Sequence, residues 1–195
     1  CSGPLLSRRR GSESVRQTVL VLGGTRSGKS AYAVELARDS GFDVTFVATA
    51  EIGDAEMAER VAEHRRGRPA EWITLEAPCD VGEAIRGAGA RGAVVVDCLS
   101  LLVSNLLLDE PDSSASKQTK SLASEIEDEV NSIFECVDEL DLLILVSDEV
   151  GQGIVPTSEL GRRYRDLLGT ANQLAAHRAD TVFWMTAGIP QRIKG

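Results

Sequence analysis

Gly23-Gly24-Thr25-Arg26-Ser27-Gly28-Lys29-Ser30 combines residue types and a spacing suited to handling phosphate. The stretch matches Gly-x-x-x-x-Gly-Lys-Ser/Thr at every fixed position. In such a loop, backbone N–H groups and a helix N-terminus converge on phosphate oxygens. Lys29 would reach the β- and γ-phosphates of a nucleoside triphosphate, and the Ser30 hydroxyl would ligate Mg2+. Asp97 closes the run Val94-Val95-Val96-Asp97, as a Walker B carboxylate does when it holds the Mg2+ shell. Alone, that pattern also fits an ordinary strand-end Asp capping the next helix. His64 lies in Glu63-His64-Arg65-Arg66-Gly67-Arg68-Pro69, at the end of a helix that Gly67 and Pro69 would terminate. Arginine forks match phosphate geometry. A neutral imidazole can attack phosphorus and carry a nucleotidyl group. Spacing alone leaves this reading open beside a solvated histidine at a helix C-terminus. His177, the second histidine, is late in an amphipathic pattern and reads as surface.

The elements that must position these groups alternate along the chain. Thr18–Leu22 reads as a buried strand before the loop, and Ala31–Ala37 as the helix after it. Further strands are predicted at Val44–Thr49, Trp72–Glu76, Ala93–Asp97, Leu142–Ser147 and Thr181–Thr186, with a helix from about Asp54 to His64. Most strands are continuous apolar runs, as expected for a sheet covered on both faces. Leu122, Ile126, Val130, Ile133, Phe134 and Val137 recur at helical spacing. So do Leu160, Tyr164, Leu167, Leu168, Ala171, Leu174 and Ala175. Both stripes predict core-facing helices, with a subunit interface as the other use of such a face. Asp109–Lys120 is polar, with Pro111 and several Ser, and reads as a loop. The expected fold is α/β: a P-loop NTPase with a mostly parallel sheet, helices on both faces and a RecA-like core.

Length and composition bound the rest. With 195 residues, 43% hydrophobic and 26% charged, the chain suits one domain with a full core. Residues 1–17 carry four arginines against one glutamate and little periodicity. They read as a flexible lead-in, or a processing remnant, before a single nucleotide-binding catalytic domain over 18–195. A net charge of −9 speaks against a nucleic-acid partner. The cysteines at 1, 79, 98 and 136 form no Cys-x-x-Cys pair, which argues against a zinc site and a disulfide scaffold. The longest apolar patch, Leu99–Leu108, is too short to span a bilayer. A reducing cytoplasm is the expected setting. The Asn-Lys-x-Asp guanine reader of switch GTPases is absent, and so is the LSGGQ signature of transporter ATPases. The size suits a small-molecule kinase or nucleotidyltransferase.

Together the motifs resemble the bifunctional adenosylcobinamide kinase / adenosylcobinamide-phosphate guanylyltransferase family of cobalamin biosynthesis, over about Thr18–Lys194. The resemblance rests on the phosphate loop, Val47-Ala48-Thr49-Ala50, Asp54-Ala55-Glu56-Met57 leading to His64-Arg65-Arg66-Gly67-Arg68-Pro69, and Val95-Val96-Asp97-Cys98-Leu99 with Asn105-Leu106-Leu107. It also rests on Ser147-Asp148-Glu149-Val150-Gly151-Gln152-Gly153-Ile154-Val155-Pro156, then Arg163-Tyr164-Arg165-Asp166 with Asn172-Gln173. It implies that His64 is guanylylated by GTP and passes GMP to adenosylcobinamide phosphate, giving adenosylcobinamide-GDP. It also implies phosphorylation of adenosylcobinamide with ATP or GTP, and assembly as a homotrimer. Lys29, Ser30 with Mg2+, and Asp97 would serve the triphosphate. Arg65 and Arg68 are candidates for holding polyphosphate near His64. Thr49, Ala50, Glu51 and Glu76, at strand ends, are candidates to border the nucleotide. The chain departs from the family at Asp148, where Asn is usual. A carboxylate near phosphates is unfavourable unless it points away, binds Mg2+ or is protonated. The alternatives are a single-activity guanylyltransferase or small-molecule kinase, and a non-catalytic nucleotide-binding regulator.

Overall fold

A computed structural model describes residues 16–51, 67–109 and 121–195. The expected helix at Asp54–His64, the lead-in up to residue 15 and most of the Asp109–Lys120 loop lie outside them. Continuous apolar runs form the middle of a seven-stranded sheet: β1 (Gln17–Gly23), β2 (Val44–Ala48), β4 (Ala93–Asp97) and β5 (Leu142–Asp148). β3 (Ile73–Glu76), β6 (Thr181–Thr186) and β7 (Ile189–Lys194) complete it, in the order β3-β2-β4-β5-β1-β6-β7. Every pairing is parallel except β6–β7. The sequence signals no seventh strand. Its antiparallel course follows from the two-residue turn Ala187-Gly188, both at positive φ (51° and 80°), and Pro190 is tolerated because β7 is an edge.

Alternation along the strands divides the core in two. Val19, Val21, Phe46, Val95, Ile144 and Phe183 pack on α1 (Lys29–Ser40) through Tyr32, Ala33, Leu36 and Ala37. The opposite side chains, among them Leu20, Val47, Val94, Val96, Leu143 and Leu145, meet α2 (Val81–Gly87), α3 (Leu99–Leu108), α4 (Leu122–Glu135) and α5 (Glu159–Arg178). The two periodic stripes are these last two helices. Leu122, Ile126, Val130 and Ile133 of α4 are buried as expected, as are Leu168, Ala171 and Ala175 of α5. Leu160, in the first turn of α5, differs from that expectation and stays 49% exposed. No described helix is long and apolar enough to cross a membrane.

α2 and α4 pack closely enough to forbid a methyl group. A Cβ on Gly82 would sit 2.5 Å from the Ser132 carbonyl oxygen. Gly82→Ala is therefore expected to destabilise by roughly 2 kcal/mol through overpacking, lowering Tm by about 4–8 °C. An unchanged Tm would show that α2 shifts without cost.

Candidate nucleotide-binding active site

The site is built where parallel strands end. β1 stops at Gly23, and α1 starts at Lys29 with Gly28 as its N-cap at φ 96°. Between them Arg26 adopts φ 56°, and the Ser27 amide donates to the Gly24 carbonyl at 3.2 Å, closing the turn. As at any helix start, the first amides of α1 lack intrahelical acceptors and are available to an anion. A Cβ on Gly24 would meet nothing within 4 Å, so among the described residues that side of the loop is open. The other side is closed, since a Cβ on Gly23 would lie 2.6 Å from the Met185 carbonyl oxygen. The β6–β7 turn supports the loop, with the Gly188 amide donating to the Ser27 carbonyl at 2.8 Å. Among the described residues Ser27 Oγ is buried without a hydrogen-bond partner, in a loop shaped for phosphate. Thr25 is exposed and Ser30 half-buried.

Lys29 is almost enclosed, its side chain 8% exposed. Its Nζ donates to the Gly24 carbonyl at 2.8 Å and to Asp148 Oδ1 at 2.7 Å. Asp148 ends β5 directly beside Gly23, and the next amide, of Glu149, donates to the Gly23 carbonyl at 3.0 Å. Asp148 Oδ2 accepts from Ser100 Oγ at 2.6 Å, and its carbonyl accepts from Asn172 Nδ2 at 2.9 Å. Asn172 Oδ1 in turn accepts from Ser147 Oγ at 2.6 Å. The departure at Asp148 thus has a specific answer: the carboxylate faces the phosphate loop and is ion-paired to its lysine.

Asp97 ends β4, half-buried, opposite Ala48 of β2 and Val146 of β5. Side-chain alternation puts Asp97 and Asp148 on the sheet face that carries α1. Thr49, fully buried, ties the ends of β2 and β4 together. Its Oγ1 donates to the Cys98 carbonyl and accepts from the Cys98 amide, both at 2.8 Å, while its amide donates to the Asp97 carbonyl at 3.2 Å. Asn105 Nδ2 donates to the Thr49 carbonyl at 2.8 Å. The Thr49 hydroxyl is therefore committed to the backbone, whereas Ala50 and the exposed Glu51 continue beyond the strand end. Glu76, exposed at the end of β3, lies beside Ala48. The Asp97–Cys98 peptide is cis. Burial, and then the Asp97 charge, push the Cys98 thiol up to about 12, so it is neutral at physiological pH and no nucleophile.

Arg68 is half-buried, its guanidinium stacked 3.4 Å over the Phe46 ring on the face shared with α1. His64 and Arg65 lie outside the described residues. His177 is exposed, as expected for a surface residue. Sequence reasoning missed Ser100, Asn172 and the pairing of Lys29 with Asp148. Asn172 and Asp148 stood inside segments that carried the resemblance. Ser100 had no signal, because its partner is 48 positions later.

Comparisons with known proteins bear on the family and the fold. The family model "Cobinamide kinase / cobinamide phosphate guanyltransferase" matches residues 19–193. The chain is 44% identical over 179 residues to the bifunctional adenosylcobalamin biosynthesis protein CobP of Pseudomonas aeruginosa, covering 90% of this chain and 96% of that protein. It is 37% identical over 183 residues to the bifunctional adenosylcobalamin biosynthesis protein CobU of Escherichia coli, covering 90% and 99%. Among solved structures, one described as an ATPase domain aligns with TM-score 0.50 at 18% identity, over 87% of this chain and 69% of that one. A type III secretion system ATPase aligns with TM-score 0.50 at 11% identity, over 87% and 51%. At those identities the structural matches speak for the fold alone, a P-loop ATPase sheet.

Proposed function

This chain belongs to the cobinamide kinase / cobinamide phosphate guanyltransferase family, and from that premise we propose how its residues divide the two reactions. The protein is a bifunctional enzyme of adenosylcobalamin biosynthesis, acting as kinase on adenosylcobinamide and as guanylyltransferase on its phosphate. The observation that carries the reading is Lys29 held at the mouth of a phosphate loop, with acidic strand ends beside it on one sheet face.

In the kinase step the substrate hydroxyl oxygen attacks the γ-phosphorus of ATP or GTP and the nucleoside diphosphate leaves. Positioning and charge neutralisation dominate such a transfer. The α1 amides and Lys29 hold the β- and γ-phosphates. The Ser30 hydroxyl and Asp97 carboxylate are hard oxygen donors at the ends of adjoining elements, a set that would hold Mg2+, which would supply charge neutralisation at the phosphates. In the transferase step the His64 imidazole attacks the α-phosphorus of GTP and pyrophosphate leaves. A phosphate oxygen of adenosylcobinamide phosphate then attacks the His64–GMP adduct, freeing the imidazole and giving adenosylcobinamide-GDP. Arg65 and Arg68 neutralise the polyphosphate near His64, with Ala50, Glu51 and Glu76 at the nucleotide's border. The enzyme works in the cytoplasm as a homotrimer.

Incubation with adenosylcobinamide, GTP and Mg2+ should yield adenosylcobinamide phosphate and then adenosylcobinamide-GDP by chromatography. Formation of the phosphate alone would reduce the protein to a kinase. Nucleotide binding without either product would leave a regulator.

A further inference from the structure

The nucleotide site contains a fixed negative charge that the phosphate-transfer reading leaves without a role. Asp148 touches the phosphate-loop lysine, not the substrate, and three elements immobilise it. β5 places it beside Gly23. Ser100, at the start of α3, donates to Oδ2 at 2.6 Å. Asn172 of α5, itself 5% exposed, holds its backbone carbonyl at 2.9 Å. Ser100 is anchored in turn: it is 2% exposed, Cys98 Sγ lies 2.9 Å from its Oγ, and its carbonyl accepts from Tyr164 OH at 3.2 Å. The carboxylate has no slack to swing away from Lys29.

We propose that Asp148 is a positioning residue that makes nucleotide binding conditional on a divalent cation. The inference rests on the triphosphate occupying the Gly23–Ser30 loop. Asp148 keeps Lys29 pulled back against the Gly24 carbonyl and cancels its charge. Asp97 ends the neighbouring strand on the same sheet face. A bare triphosphate must compete with the Asp148 carboxylate for Lys29 and is repelled by it. A cation arriving with the nucleotide offsets the Asp148 charge, and Lys29 can turn its remaining N–H groups to phosphate oxygens. The side chain of Asp148 is 29% exposed, so the charge is partly screened. Even with water-like screening, a unit charge one ion-pair length from the lysine amounts to about a tenfold effect on affinity.

The test compares ATP and GTP binding by calorimetry in EDTA and in excess Mg2+, for wild type and Asp148→Asn. The amide is isosteric and still accepts from Lys29. The Asp148→Asn variant should bind metal-free nucleotide about tenfold tighter than wild type, and the factor gained on adding Mg2+ should shrink correspondingly. Loosened packing alone would weaken binding in both buffers and leave that factor unchanged. Ser100→Ala, which keeps the carboxylate but removes one anchor, should shift the factor in the same direction by about two- to threefold. An unchanged Mg2+ factor in both variants, with wild type binding normally, overturns the role of Asp148. Wild type that binds neither nucleotide even with Mg2+ overturns the phosphate-loop reading, and this inference with it.

Discussion

Lys29→Ala is expected to lower kcat/KM for the kinase step by about 10²–10³-fold, the usual loss when one preorganised donor to transition-state charge is removed. Among the described residues its ammonium is the one buried side-chain cation of the phosphate loop, 2.8 Å from the Gly24 carbonyl. Its loss has a second consequence. Asp148, 29% exposed in the intact pair and held by Ser100, would lose the counter-ion that Lys29 supplies. That uncompensated charge should cost about 1–2 kcal/mol of stability, discounted from the figure for a fully buried pair. The double variant Lys29→Ala/Asp148→Asn separates the two effects. It should recover the stability and leave the catalytic defect. Initial rates with adenosylcobinamide and thermal melting measure each. A single variant retaining more than a tenth of the wild-type kcat/KM would remove Lys29 from the mechanism.

His64→Ala should abolish covalent labelling from α-labelled GTP, since His177, the chain's other histidine, is an exposed surface residue in the last turn of α5. A phosphoramidate survives alkali, so wild type quenched in base should retain one label per active site. The variant should lose at least about 10³-fold in guanylyl transfer, because covalent catalysis through that side chain disappears. The kinase step should fall far less, because Lys29 and the strand-end acids are intact. That asymmetry is the decisive feature. Equal loss of both activities would point to a structural role for His64, and label persisting on His64→Ala would place the nucleophile elsewhere.

Much of this protein is legible in the chain because its signals are local. Gly23-Gly24-Thr25-Arg26-Ser27-Gly28-Lys29-Ser30 specifies a strand–loop–helix by itself, since positive φ at Gly28 and a helix start at Lys29 are properties of neighbouring residues. The buried runs at Val19–Leu22, Ala93–Val96 and Leu142–Val146 announce a sheet covered on both faces. The stripes of α4 and α5 announce their core faces. The misses are instructive. Leu160 fits the α5 stripe yet stays half-exposed, because periodicity tells which face a residue is on but not whether another element reaches it. β7 carries Pro190 and little alternation, so only pairing with β6 makes it a strand.

By itself the sequence determined the phosphate loop, the parallel α/β plan and the family, because each is written in contiguous residues or in runs with a fixed period. Only the tertiary structure decided that β5 inserts between the strands of Gly23 and Asp97. That order brings Asp148 onto Lys29 across 119 positions and Ser100 onto Asp148 across 48. Strand order depends on how sheet and helices share their apolar faces, a global balance that no local pattern encodes. The electrostatic setting of Lys29 is therefore a property of the fold, whereas its presence is a property of the chain.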